Sequence, residues 1–246
     1  MPEKELKVKL LSSTPDALSL IYAACRQCYS ADFAGDIFEK AKEDSGKMAE
    51  FIAKIAASGH ESPLEHVKFT FAVEGVSRAL THQLVRHRLA SYSQQSQRYV
   101  KEDNFSFIVP PTIKKDPEAL KEYEGVLSRI QEGYNRLLHL LKSKGIVGEK
   151  ANQDARFVLP QGAETKIVIT MNCRELLHFF SLRCCSRAQW EIKALADGML
   201  KVCKEKLPAV FAKAGAKCEK LGYCPEGKKF TCGRYPLKED IIKESR

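Results

Sequence analysis

Thirteen residues, Arg86 to Arg98, contain Arg86, His87, Arg88 and Arg98, and no Asp or Glu occurs between Glu74 and Glu102. Three guanidiniums without a local counter-charge repel one another, and an anion is what most readily holds them together. The planar guanidinium fork donates two parallel hydrogen bonds, which suits a phosphate. Ser91, Ser93, Gln94, Gln95, Ser96 and Gln97 fill the interval with polar side chains of a size to hold a ligand. A solvated basic loop is the plainer reading of the same residues.

Other stretches also offer chemistry. Cys25 and Cys28 form a C-x2-C, which reads as ordinary helix-end cysteines without further ligands or a redox context. His60-Glu61-Ser62-Pro63-Leu64-Glu65-His66 fails as a metal motif, because Pro63 breaks any helix that could align the two histidines. Arg156 stands alone among apolar neighbours, as salt-bridged surface arginines do. Arg174 and His178 are four residues apart and share a helical face. Cys218, Cys224 and Cys232 could be zinc ligands with a fourth from elsewhere, but their spacing fits no standard knuckle, and the plainer reading is an irregular reduced tail with no metal.

Arg86-His87-Arg88, seven residues, then Ser96 is the RHR-x7-S pattern of the flavin-dependent thymidylate synthases, and the chain resembles that family in three further places. His60 to His66 resembles its H-x-[ST]-P-[FL]-E-H segment. Ala155 to Pro160 resembles A-R-x-x-L-P, and Asn172 to Arg183 resembles N-x-R-x-L-x-[NH]-F-x-x-L-R. The likeness runs in order over roughly residues 14–211. It implies an α+β fold, with a central antiparallel or mixed sheet and long flanking helices, as one catalytic domain over 1–213. A basic, cysteine-containing tail follows over 214–246.

The resemblance implies reductive methylation of dUMP to dTMP, with FAD as cofactor and NADPH and methylenetetrahydrofolate as co-substrates. It assigns dUMP to Gln83, Arg86, Gln94, Gln95, Ser96, Gln97, Arg98, Arg156 and Arg183. FAD falls to Ser62, Arg86, His87, Arg88, Gln94, Asn172, Arg174 and His178, and the folate pocket to His60. A homotetramer with active sites at subunit interfaces is implied too. Arg183 is the catalytic choice, because a guanidinium beside the uracil carbonyl and N3 stabilises charge developing on the ring. Two positions depart from the pattern: Gln94 where Glu is frequent, and Gln97 where Gly is.

The elements that must position these residues follow from patterning. Lys7–Ser12 reads as a strand. Thr14 caps a helix that runs to about Arg26, with Pro15 at its first position. Met48, Phe51, Ile52 and Ile55 mark a helix over Ser45–Ala57 that Gly59 ends. Val67–Val73 alternates as a half-buried strand, and Ser77 caps a helix through about Arg86. Side chains on consecutive helical residues diverge by about 100°. Arg86, His87 and Arg88 therefore surround an extended ligand, or two stacked ones, and do not grip one small group. The stretch after them reads as a loop. Asn104–Pro111 is extended. Pro117–Lys144 is the longest helix, with its stripe from Leu120 to Leu141 assigned to packing. Lys150–Leu159 is a short helix, Thr165–Met171 a strand, Asn172–Arg183 a helix, and another helix runs to about Lys206.

At 44% hydrophobic and 29% charged, the 246 residues describe a globular protein able to bury a full core. No apolar run is long enough to span a bilayer, and no signal-peptide core opens the chain, so the expected location is the cytoplasm, with no membrane partner. Nine cysteines are then reduced thiols. Of the net charge of +9, residues 201–246 supply +6, with 12 Lys+Arg against 6 Asp+Glu. The absence of Gly-x-Gly-x-x-Gly after a strand argues against a Rossmann turn for FAD and leaves NADPH to share a pocket. Two rivals remain. An RNA-binding module would stack bases on Tyr92 and Tyr99 beside the arginines, although no nucleic acid is expected. A thymidylate synthase using a cysteine thiolate is the other, but no cysteine has the adjacent base such a nucleophile needs.

Overall fold

The computed structural model describes residues 1–42 and 45–244. In chain order the elements are β1 (Lys7–Ser13), α1 (Ala17–Gln27), α2 (Ala34–Ala41), α3 (Ser45–Ser58), a 3-10 turn over Ser62–His66, β2 (Lys68–Ser77), α4 (Arg78–Leu84) and β3 (Ala90–Gln94). There follow α5 (Pro111–Lys114), α6 (Pro117–Ser143), α7 (Glu149–Ala155), a 3-10 turn over Arg156–Val158, β4 (Glu164–Asn172), α8 (Cys173–Arg183), α9 (Trp190–Lys206), α10 (Pro208–Phe211), α11 (Lys217–Leu221) and α12 (Lys238–Glu244). The strands form one sheet in the order β1-β2-β4-β3. The expected α+β class is the one found.

The register of the central pair is set at both ends. The Thr70 and Thr170 hydroxyls meet at 2.9 Å, and the Cys173 N–H donates to the Val67 carbonyl at 2.8 Å. Farther along, the Gly75 N–H donates to Glu164 Oε1 at 3.0 Å. Residue numbers rise on one strand as they fall on the other, so β2 and β4 are antiparallel. On β2 the alternation of Phe69, Phe71 and Val73 puts these side chains into the core, as their period of two requires.

The chain divides into two compact units. The first comprises Met1–Lys7, Ala72–Arg86 and Tyr92–Val168. Its core is Phe105, Phe107, Val109, Leu127 and Ala163, with Leu120, Tyr123 and Ile130 of α6 packed against it. The stripe on α6 packs only in part. Leu127 and Tyr134 are buried, Leu138 and Leu141 half-buried, and Leu137 exposed. Asp116 caps α6 through the Glu118 and Ala119 N–H groups. The second unit comprises Val8–Phe71, His87–Ser91 and Ile169–Arg246. An aromatic core of Phe69, Phe71, Phe179, Phe180 and Phe211 fills it, with Phe211 edge-on to Phe69 and Phe180, and Phe69 stacked on Phe71. Residues 214–244 lie within this unit, and α11 and α12 give them regular structure.

Several expectations need correction. Thr14 does not cap α1. Its hydroxyl accepts from the Lys68 N–H at 2.9 Å, tying the segment to β2, and α1 starts after Asp16. The helix α2 escaped patterning because it has no capping side chain and buries only Ala41. The stretch after the arginine triplet is not all loop, for Ala90–Gln94 is strand β3. The helix expected over Lys150–Leu159 is α7 with a 3-10 turn after it, and Pro111 opens α5 where an extended segment was expected to end. Ser77 does cap α4, accepting from the Leu80 N–H, but α4 ends at Leu84, two residues before Arg86.

Gly75 lies at φ +72°, and a Cβ there would sit 1.8 Å from the Glu5 carbonyl oxygen. Both the left-handed backbone and this close approach require glycine. Gly75→Ala is expected to cost more than about 2 kcal/mol, read as a lower urea midpoint at unchanged m. An unaltered midpoint would show that the N-terminal strand segment yields freely.

Candidate active site

Within the first unit, the end of the arginine-rich stretch is fastened to α7. Arg98 pairs with Glu149, and Asn152, itself buried, donates to the Arg98 carbonyl at 3.0 Å. The Ser96 hydroxyl accepts from the Arg98 N–H at 3.2 Å, a local turn that directs the arginine. Arg156 follows α7 directly and donates from Nε to the Gln153 carbonyl at 3.3 Å. Arg78, which patterning did not single out, joins this group, donating to the Gln95 carbonyl at 3.5 Å. Burial, then the like charge of Arg156, holds the Arg78 guanidinium below its ordinary pKa, with Glu102 acting in the opposite sense. Two guanidiniums close enough to repel, with Glu102 offsetting them only in part, are a candidate anion site. The signal that could have found Arg78 is its place at the first position of the helix leading to the triplet.

The glutamines behave differently from one another. Gln94 Nε2 donates to Thr81 Oγ1 at 3.3 Å and to Thr165 Oγ1 at 3.2 Å. Thr81 spends its own proton on the Arg78 carbonyl at 2.8 Å, so its oxygen needs a donor. An amide provides one and a carboxylate does not, which accounts for Gln at a position where Glu is frequent. Gln97 is buried. Gln95 Oε1 is buried and, among the described residues, without a hydrogen-bond partner, an acceptor left over for a ligand donor. Gln83 is half-buried, and Arg86 is exposed at the end of the segment that follows α4.

Within the second unit, His87 is 5% exposed, while Arg88 beside it is exposed. The triplet lies beyond α4, so the inward turn of His87 comes from its contacts with α8 and not from helical divergence. Arg183 Nε donates to His87 Nε2 at 3.1 Å, so Nε2 is the acceptor and the ring proton sits on Nδ1, 3.3 Å from Glu175 Oε1. Burial, then Arg183 and His178, lowers the His87 pKa to about 4, which keeps the ring neutral as this geometry demands. Glu175, His87 and Arg183 thus form a chain in which a carboxyl orients an imidazole and the imidazole orients a guanidinium. His87 therefore faces inward, where FAD contact was expected. Its ring packs edge-on against Phe179.

The remaining cofactor candidates in this unit lie on α8 and the 3-10 turn. A cavity of about 1030 Å³ has Arg174, His178, Lys213, Lys217 and Lys220 in its wall, with Ala53, Ala57, Leu177 and Val210 as apolar lining. Glu61, Glu175 and Glu219 share this wall, so the four cationic side chains are offset only in part; with the apolar lining they could hold the pyrophosphate and rings of FAD, and the volume is that of a large ligand pocket. Arg174 pairs with Glu65, and Glu61 lies 3.8 Å from it. Asn172 spends its Oδ1 as the cap of α8, accepting from the Glu175 N–H at 2.8 Å. Ser62 is exposed and His60 half-buried. Arg183 lines a smaller cavity of about 260 Å³ beside Cys185 and Arg234. All nine cysteines are free, and burial pushes the thiols of Cys173, Cys184 and Cys203 well up, away from nucleophilic use.

Comparison with known proteins bears on this arrangement. The chain belongs to the family described as thymidylate synthase complementing protein, which matches residues 9–209. A relative from Nitratidesulfovibrio vulgaris, named flavin-dependent thymidylate synthase, is 57% identical over 98% of this chain and 100% of its own. Proteins of the same name from Clostridium tetani and Geobacter sulfurreducens are each 46% identical, over 93% and 97% of this chain and 94% and 99% of theirs. In fold the chain is similar to a UMP/dUMP methylase, PolB, from Streptomyces cacaoi, bound with 5-Br dUMP. The TM-score is 0.70 at 24% identity, over 85% of this chain and 94% of that one. The RNA-binding reading does not survive. Family membership opposes it, and the Tyr92 hydroxyl is tied to the Leu84 carbonyl at 2.9 Å and is not held out as a stacking platform. Among the described residues no helix is long and apolar enough to cross a membrane, and no cluster of three or more His, Cys, Asp or Glu could hold a metal ion.

The pH dependence of folding tests the neutral imidazole. With a folded pKa near 4 against 6.5 for an ordinary histidine, the unfolded chain binds the extra proton between those values. The stability due to His87 is therefore complete above pH 6.5 and is lost as pH falls towards 4, about 3 kcal/mol in all. Glu175, pushed up by burial, works in the opposite sense. The His87 share is accordingly the difference between wild type and His87→Gln in urea unfolding at pH 7 and pH 4.5. Equal slopes for the two proteins would refute the assignment.

Proposed function

We propose that this protein catalyses the reductive methylation of dUMP to dTMP, using FAD, NADPH and methylenetetrahydrofolate. The observation that carries the reading is membership of the family over residues 9–209, together with a group of arginines fit for a phosphate. Residues 1–213 form the catalytic part and 214–246 a basic extension, and the enzyme works in the cytoplasm. When bound, FAD supplies the hydride and the folate supplies the carbon. The chain provides binding, orientation and electrostatics.

Arg78, Arg98 and Arg156 take the nucleotide phosphate, with Ser96 and Gln95 as hydrogen-bonding neighbours. Gln83, Arg86, Gln94 and Gln97 shape the rest of that pocket. Arg183 places its two terminal nitrogens against the pyrimidine, its Nε being held by His87. A guanidinium fixed in advance stabilises charge on the ring without reorganising during the reaction. Arg174 and His178 hold FAD, with Arg86, Arg88, Asn172 and Ser62 around it, and His60 borders the folate.

A homotetramer with shared sites agrees with the surface of the first unit. Phe157, next to Arg156, is 84% exposed, and Leu137 and Leu140 of α6 are exposed as well. Arg98 and Arg156 flank opposite ends of α7, about 10 Å apart along a helix of that length, so one helix can serve two pockets.

The purified protein is expected to be yellow, to lose that colour with NADPH, and to convert dUMP to dTMP once methylenetetrahydrofolate is added. A colourless protein that gains no activity with added FAD would reject the reading. Arg78→Met is expected to raise the KM for dUMP about tenfold or more, the loss of roughly 1.5–3 kcal/mol from a charged hydrogen bond, with FAD content unchanged. Shared sites are tested by exchanging subunits between the inactive variants Arg98→Ala and Arg156→Ala. Recovered activity means that the two residues reach one pocket from different chains. Mixed tetramers that stay inactive would place both within one chain.

A further inference from the structure

The C-terminal segment gathers thiols for which the methylation has no use. Four of them, Cys185, Cys218, Cys224 and Cys232, line the 260 Å³ cavity of the second unit. They do not form a metal cage, because among the described residues no three His, Cys, Asp or Glu stand where an ion could be held. A guanidinium occupies this neighbourhood instead. Arg234 Nη2 donates to Cys218 Sγ at 3.4 Å and to Glu219 Oε1 at 2.9 Å.

The same arginine acts on a second sulfur. Gly233, at φ +78°, makes the turn between Cys232 and Arg234, and its N–H donates to Thr231 Oγ1 at 3.1 Å. The turn brings the Arg234 N–H onto the Cys232 sulfur, and the Ser186 hydroxyl donates to it as well. These donors and the Arg234 charge hold the Cys232 thiol below its ordinary pKa. Cys232 is exposed, whereas Cys218 and Cys224 are buried. An accessible sulfur surrounded by donors, with a second thiol across one guanidinium, is the arrangement of an oxidation-sensitive cysteine with its resolving partner.

We propose that Cys232 is a modification site for peroxide-class oxidants and that Cys218 resolves it into a 218–232 disulfide. The Cys232 thiolate attacks one peroxide oxygen, the O–O bond breaks, and the departing hydroxide takes up a proton to leave as water, giving a sulfenic acid. The Cys218 thiol then attacks that sulfur. The S–S bond forms, the S–O bond breaks, and the hydroxyl leaves as water with the thiol proton. Two thiols are oxidised and one peroxide is reduced to two waters. Arg234, released from both sulfurs, keeps its ion pair with Glu219. The inference stands apart from the dUMP reading, since it needs neither nucleotide nor flavin.

The experiment uses the full chain, reduced, desalted and exposed to equimolar hydrogen peroxide, with and without dimedone, followed by peptide mass mapping. The expected result for the unaltered protein is a disulfide joining Cys218 and Cys232, reversed by dithiothreitol. In Cys218→Ser, dimedone is expected on Cys232, and in Cys232→Ser no disulfide forms. Cys28, exposed at the end of α1, serves as internal reference and is expected to label about tenfold more slowly or less. The proposal fails if Cys28 labels as fast as Cys232, or if the mapped disulfide joins other residues. It also fails if the purified protein carries one zinc per chain that shields these thiols. Mapping on the unaltered protein decides the matter even where a variant does not fold.

Discussion

Pairing of β2 with β4 is the constraint from which the placement of the chemistry follows. Each strand feeds directly into a helix that carries functional residues, β2 into α4 and β4 into α8. The register fixed by Thr70 with Thr170, and by Gly75 with Glu164, therefore decides where both helices begin. A slip of one residue would turn Phe69 and Phe71 out of the core and invert the face each helix leaves from. The caps reinforce this. Ser77 and Asn172 are the last residues of their strands and the caps of the helices that follow, so strand end and helix start are set by one side chain each.

The two units hold charge in opposite ways. In the first, Arg78 and Arg156 stand near one another and are only partly offset by carboxylates, which keeps positive potential available for an anion. In the second, charge is disciplined by neighbours. Glu65 and Glu61 hold Arg174, and a neutral imidazole holds Arg183 without cancelling its charge. A carboxylate in the place of His87 would orient Arg183 as well but would neutralise it. An uncharged acceptor orients the guanidinium and leaves its full charge to act elsewhere. That distinction gives His87 a reason to be buried and neutral, which its position inside an Arg-His-Arg triplet does not suggest.

Legibility from the sequence followed the physics of each signal. β2 and β4, α6 and α8 were readable because apolar periodicity and capping residues coincide there, and four separated motifs made the family visible. The strand β3 was not, because Ala90-Ser91-Tyr92-Ser93-Gln94 alternates over only two apolar residues, Ala90 and Tyr92, neither of them fully buried, and its strand state rests on pairing with β4. The inward turn of His87 was hidden too, since the triplet looks uniformly cationic until Glu175 and Phe179 come in from α8. Arg78 carried one local mark, its place at the start of α4, but that position alone does not distinguish it, because its meaning comes from Arg156, far away in sequence. The tail read as irregular because its order rests on particular contacts, such as Arg187 with Glu226 and the Phe230 ring, and not on periodicity.

The partly buried Arg78 has the like charge of Arg156 near it, which opposes folding. Whatever neutralises the pair is linked thermodynamically to folding. A ligand at a hundred times its Kd adds about 2.7 kcal/mol to the folded state, and here relief of a repulsion contributes to that binding. On the function proposed above, heat resistance and resistance to proteases rise with the concentration of the nucleotide. Inorganic phosphate or sulfate, which carries the same charge without the base, imparts a fraction of the effect. On that reading the lifetime of the polypeptide in a cell is coupled to the supply of its own substrate.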